Sequence, residues 1–75
     1  MTTQPVHGAL LRAEGALYSC VVLFRTVQSV ELLVRNVTLE VNQRIHLSAA
    51  NWKTDAIVTQ VTRAEKASVV RCALA

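Results

Sequence analysis

Apolar and polar residues alternate with a period of two along much of this chain. "SVELLVRN" (29–36) sets Val30, Leu32 and Val34 on one face and Glu31, Leu33 and Arg35 on the other. "QRIHLSA" (43–49) turns Ile45, Leu47 and Ala49 inward and Arg44, His46 and Ser48 outward, and "SVVRCALA" (68–75) groups Val70, Cys72 and Leu74. Strict alternation over such runs is the pattern of half-buried strands. "ALYSCVVLF" (16–24) is rich in the β-branched and aromatic residues that fit a pleated surface. "TDAIVTQVTRA" (54–64) is longer and breaks the alternation, which predicts a bulge or a bend at a barrel corner. "GALLRAEGA" (8–16) fits one or two helical turns, weakened by Gly15, or an extended lead-in to the first strand.

"NVTLEVNQ" (36–43) and "AANW" (49–52) have turn composition, and "AEKA" (64–67) would close a hairpin. The predicted architecture is all-β: a small antiparallel barrel of five or six short strands over 8–75, with a short helical turn as an option at its start. Closure would hide the sheet edges that an apolar sheet leaves open to aggregation. Residues 1–7, with Pro5, are expected to be a flexible N-terminus. The expected core is Val22, Phe24, Val30, Leu32, Val34, Ile45, Leu47, Val58, Val61, Val70, Cys72 and Leu74. "LFRTVQSVEL" (23–32) must reverse the chain between two strands, yet it holds no Gly, Pro, Asn or Asp.

Seventy-five residues make one small domain, which buries roughly 60% of the surface its unfolded chain exposes. With 52% hydrophobic residues, some apolar surface stays outside, either as an association face or as scattered side chains on a filled barrel. Strand 16–24 carries Leu17, Val21 and Leu23 opposite Tyr18, Cys20, Val22 and Phe24, and strand 29–36 carries Leu33 opposite its inward face. A barrel interior takes one face of each strand. Leu17, Val21, Leu23 and Leu33 therefore form a candidate interface, to be covered by the segment around Leu10 and Leu11 or by a second chain in a homodimer.

The net charge of +3 comes from cations spread along the chain without a block of like charge. They read as a solvated surface. The alternative is a small RNA-binding barrel of Sm-like or OB type that uses Arg25, Arg35, Arg44 and Arg63. Tyr18, Phe24 and Trp52 stand at three separate points and read as packing rather than as base platforms. Cys20 and Cys72 form no metal-binding pattern, and Cys20 has the setting of an inert buried thiol. "MTTQPVHG" does not open a secretory signal, and no apolar run approaches bilayer length, so a cytoplasmic chain with no membrane partner is expected. Glu14, Glu31, Glu40, Asp55 and Glu65 are isolated, His7 falls in the flexible terminus, and His46 lies on a polar strand face. Neither a P-loop nor a dinucleotide fingerprint occurs, so the expectation is no enzyme and no cofactor.

From Cys20 onward the order of features resembles the PilZ domain, a bacterial β-barrel family that senses cyclic di-GMP. The parallels run through "CVVLF", "FRTVQS", "VELLV", "VTLEVNQRIHL", "TDAIVTQV" and "SVVRCAL", where "VTLEVNQRIHL" answers a family phrase like "plevGqrihL". In the family, nucleotide-binding members carry [D/N]-x-S-x-x-G between the first two barrel strands. Aligned here, Phe24 takes the Asp/Asn position, Arg25 follows it, Thr26 takes the Ser and Ser29 the Gly. Only Thr26 keeps the chemistry, a hydroxyl able to hydrogen-bond. The family's R-x-x-x-R segment is absent too: Arg12 stands alone before the strands, with Gly8 four residues earlier. The resemblance thus implies a degenerate PilZ-like domain with cyclic di-GMP binding not expected, working through protein contacts in motility or second-messenger signalling.

Overall fold

The structure is a computed structural model that describes residues 7–74. Six antiparallel strands, β1 (His7–Ala13), β2 (Ala16–Arg25), β3 (Ser29–Val34), β4 (Arg44–Ser48), β5 (Lys53–Arg63) and β6 (Ser68–Leu74), close into a barrel. Around the barrel the order is β1-β2-β3-β6-β5-β4, with β4 pairing back to β1. The all-β barrel is the predicted fold. The expected flexible terminus lies outside the described residues except at its last position: His7 is the first residue of β1, opposite Val22.

The helical option at 8–16 is overturned. That segment is a strand and a two-residue hairpin turn, in which Ala13 pairs with Ala16 across Glu14 and Gly15. Both central residues are left-handed, with φ of 52° and 79°, the geometry whose twist matches flanking strands. Glycine takes such a φ without a steric penalty, so Gly15, read as a helix weakener, is instead what lets the chain reverse. The strand itself alternates: Ala9, Leu11 and Ala13 are buried while Leu10 and Arg12 are exposed.

Alternation held elsewhere wherever pairing is continuous. Val30, Leu32, Val34, Ile45, Leu47, Val70 and Cys72 are all buried, as expected, and Leu74 packs against them half-buried. β2 departs from it. Val22 pairs with Leu32 but Phe24 pairs with Glu31, so Leu23 is an extra residue and the strand bulges. One added residue reverses the parity of everything after it. Phe24, expected in the core, is therefore on the outside and 57% exposed. β5 contains the irregularity its sequence predicted: Val58 pairs with Cys72 and Gln60 with Arg71. The extra residue, Thr59, donates its hydroxyl to the Arg71 carbonyl at 3.0 Å. Beyond that bulge Val61 packs against the core but is only half-buried.

The core also takes in Cys20, Ala56 and Leu39. Leu39 comes from the segment between β3 and β4 rather than from a strand, and inserts into the same cluster. Asn36 and Asn42, at φ of 63° and 75°, let that segment turn at each end. Alternating strand direction puts the β2–β3 and β4–β5 turns at one end of the barrel, called upper here. The β1–β2 turn, the Leu39 segment and the β5–β6 turn lie at the lower end.

Candidate functional site

The β2–β3 turn is held by a side chain. The Thr26 N–H donates to the Ser29 carbonyl at 2.8 Å, and the Thr26 hydroxyl oxygen accepts from the N–H groups of Gln28 at 3.1 Å and Ser29 at 3.0 Å. A threonine hydroxyl can stand in for a backbone turn in this way. The turn also fastens β6, since Leu74 N–H donates to the Gln28 carbonyl at 2.9 Å. Ser29 is not among the left-handed residues, so no glycine is needed where the family motif would place one. Of the four motif positions, Thr26 and Ser29 bond to each other inside the turn, with their hydroxyl oxygens 3.0 Å apart. Phe24 is turned to the outer wall by the bulge.

Arg25 does something the sequence did not signal. Its guanidinium carbon lies 4.7 Å from the ring centre of Trp52, which the β4–β5 turn delivers to the same end of the barrel. Trp52 is half-buried and packs against the core. Beside this stack is an open cleft of about 470 Å³, lined by Arg25, Thr26 and Val27 of one turn, Trp52, Lys53 and Thr54 of the other, and Leu74. Two cations and no carboxylate line it. Val27, at the tip of the turn, is 94% exposed.

The candidate interface residues do share a surface. Val21 pairs with Leu33 across β2 and β3, Gly8 and Val69 continue that row onto β1 and β6, and Leu17, opposite Arg12, lies two pleats along, beyond Ser19 and its partner Leu10. Leu17 and Leu23 are exposed, and Val21 and Leu33 are half-buried. The segment around Leu10 and Leu11 does not cover this face. It is a stave of the barrel: Leu11 points inward, and Leu10, 44% exposed, extends the apolar face outward. Shallow hollows flank β2 on both sides.

The other side of the barrel is mostly polar, with Ile57 its exposed large apolar residue. β4 and β5 present Arg44, His46, Ser48, Lys53 and Asp55 outward, and His46 Nδ1 donates to Asp55 Oδ1 at 2.8 Å. Of Arg25, Arg35, Arg44 and Arg63, only Arg35 and Arg63 share one groove. Arg25 is at the upper end, Arg44 is on the outside of β4, and Arg35 and Arg63 line a lower-end groove with Lys66 and Glu65. Among the described residues, Arg71 is the arginine that meets a carboxylate, donating from Nη2 to Glu31 Oε2 at 3.3 Å.

Cys20 and Cys72 are free and buried. Burial pushes both thiols up to about 11 from 9.0, and for Cys72 the neighbouring Cys20 adds to the effect. Both are protonated and poor nucleophiles at neutral pH. Among the described residues, no group of three or more His, Cys, Asp or Glu side chains could hold a metal ion, and no helix is long and apolar enough to cross a membrane. Compared with known protein families, curated proteins and solved structures, the chain matches none.

Proposed function

We propose that this chain is a non-catalytic binding module that works through protein contacts, first of all with a second copy of itself. The observation that carries this reading is the apolar outer face of β1, β2 and β3, built from Leu10, Leu17, Val21, Leu23 and Leu33. The interior is already filled by the opposite faces of the same strands, so the fold has no need of leucines here. Exposed apolar surface that the core does not use is the mark of an association site. A homodimer would also add buried area to a domain small enough to be marginal alone.

The reading includes a degenerate PilZ-like ancestry, cytoplasmic and signalling in character. The closed six-stranded barrel is compatible with it. So is Asn42, whose φ of 75° puts a left-handed backbone where the phrase "plevGqrihL" has glycine. Cyclic di-GMP is not the ligand in this reading, because Thr26 is engaged within its own turn and the paired arginines are missing.

Light scattering tests the association directly. Wild type is expected to run as a dimer, and Leu33→Glu combined with Leu17→Glu as a folded monomer with unchanged circular dichroism. A wild-type protein that stays monomeric at high concentration removes the homodimer. Retention of the RNA alternative would need tight binding of single-stranded RNA that collapses with salt, the signature of phosphate contacts.

A further inference from the structure

We infer that the upper-end cleft between the β2–β3 and β4–β5 turns is a second binding site, one that takes a segment of a protein partner in which a carboxylate adjoins an apolar side chain. This goes beyond the sheet-face reading and uses a different surface. Three observations converge on it. The cleft holds Arg25 and Lys53, both exposed, and no carboxylate lines it. Across the described residues the only carboxylate contacts are those of Glu31 with Arg71 and Asp55 with His46, so Arg25 and Lys53 offer unmatched charge. Finally, Val27, Trp52 and Leu74 give the same cleft apolar walls.

Arg25 is also held in place for such a role. Its guanidinium rests on Trp52, which itself packs against the core, so the side chain is already partly ordered before a ligand arrives. The guanidinium makes no hydrogen bond or ion pair to a side chain among the described residues, so its N–H groups are free for paired bonds to a carboxylate. Lys53, exposed at the start of β5, adds a second positive charge to the lining of the cleft. The open cleft of about 470 Å³ has room for one or two side chains of a bound segment.

The chemistry favours a peptide over a nucleic acid. Trp52 has the core behind it and Arg25 over its ring, so it is not an open platform for a nucleobase. Of the other arginines that could follow a phosphate backbone, Arg35 and Arg63 are at the opposite end of the barrel and Arg44 is on the outside of β4. Two cations match one carboxylate, whereas tight polyanion binding draws on many phosphate contacts.

Trp52 is the sole tryptophan of the chain, so its indole N–H gives one resolved signal to follow by NMR. The probe is acetyl-Glu-Leu-amide, titrated into the intact chain, with acetyl-Gln-Leu-amide as the uncharged isostere. Saturable shifts at the Trp52 indole and the Arg25 Nε–H are expected, weaker by roughly tenfold or more with the Gln peptide, the factor that a charge-assisted hydrogen bond supplies. Arg25→Gln and Lys53→Gln, at exposed positions, should each abolish the response while leaving the rest of the spectrum in place. Equal binding of the two peptides, or a response that survives Arg25→Gln, overturns the inference. So does tighter binding of a short oligouridine than of the acidic peptide at the same site. None of these results alters the light-scattering test of the sheet face, so the two surfaces stand or fall separately.

Discussion

The outer wall of β1, β2 and β3 and the outer wall of β4 and β5 follow the same alternation and carry opposite chemistry. Inside the barrel they are equivalent: Leu11, Leu32 and Leu47 are all completely buried. Outside, one wall shows Leu10, Leu17, Leu23 and Leu33 with Arg12, Ser19 and Glu31 among them, and the other shows Arg44, His46, Lys53 and Asp55 around a single Ile57. The polar wall is what a strand needs when its second face meets water. The apolar wall departs from that rule on neighbouring strands together, which single exposed leucines would not do. The difference teaches that the inward pattern determines the barrel, while the outward pattern is left free for other uses.

The largest effect should come from testing the equivalence of the inward faces. Leu32→Ala, behind the apolar wall, and Leu47→Ala, behind the polar one, should each cost about 2–5 kcal/mol in urea denaturation. If one of them were nearly neutral, the two walls would not share a core. Next comes alkaline pH. Cys20 on β2 and Cys72 on β6 have folded pKa values near 11 against 9.0 unfolded. The folded state therefore holds protons that the unfolded state releases, so stability is intact below pH 9 and falls as pH rises toward 11. The loss is of the order of 2 kcal/mol per thiol and should be absent from a Cys20→Ala, Cys72→Ala variant.

A smaller effect is expected at the turn that leads from β2 to β3. Thr26→Val keeps the shape but leaves two N–H groups without their acceptor, at a cost of about 1 kcal/mol because the turn is exposed to water. The smallest change belongs to the polar wall. His46→Gln removes an exposed pair with Asp55 and should shift stability by less than about 1 kcal/mol. By contrast Leu17→Glu, on the other wall, should leave the monomer's stability nearly unchanged and alter its association. A large stability loss there would mean that the apolar wall serves the fold after all.

Strand faces were readable wherever the ladder is unbroken, since each side chain's face then follows from its neighbour's. The β2 bulge was not, because Leu23 and Phe24 are both apolar and hydropathy cannot say which of two adjacent large residues is the extra one. β1 was obscured for a different reason. Leu10 and Leu11 are adjacent leucines on opposite faces, and "AEG" suggests a helix end as readily as a hairpin. The alternation of Ala9, Leu11 and Ala13, with Gly15 just beyond, was the available signal. Leu39 lay hidden in a segment of turn-like composition, although Val37 and Leu39 keep the spacing of a chain with one side turned inward. The interface residues could be seen as surplus. The Arg25–Trp52 contact could not, because it joins two turns that only barrel closure brings together.

That closure has a kinetic side. β1 is joined to β2 along its whole described length by a local hairpin, the kind of element that forms within microseconds. Its other seam, to β4, runs only over Leu10–Arg12 and His46–Ser48 among the described residues, the shortest ladder of the barrel and one that spans a long stretch of sequence. The β3–β6 seam spans as much of the chain but has six pairs to offset the loop entropy, against three between β1 and β4, so the β1–β4 seam is expected to close last. The last seam to form should also be the first to breathe. Amide hydrogens along β4, paired to β1 over three residues only, should exchange with solvent sooner than those of β3, which is paired along nearly its whole length on both sides, and each opening leaves a strand edge to which the β1 of another molecule can add.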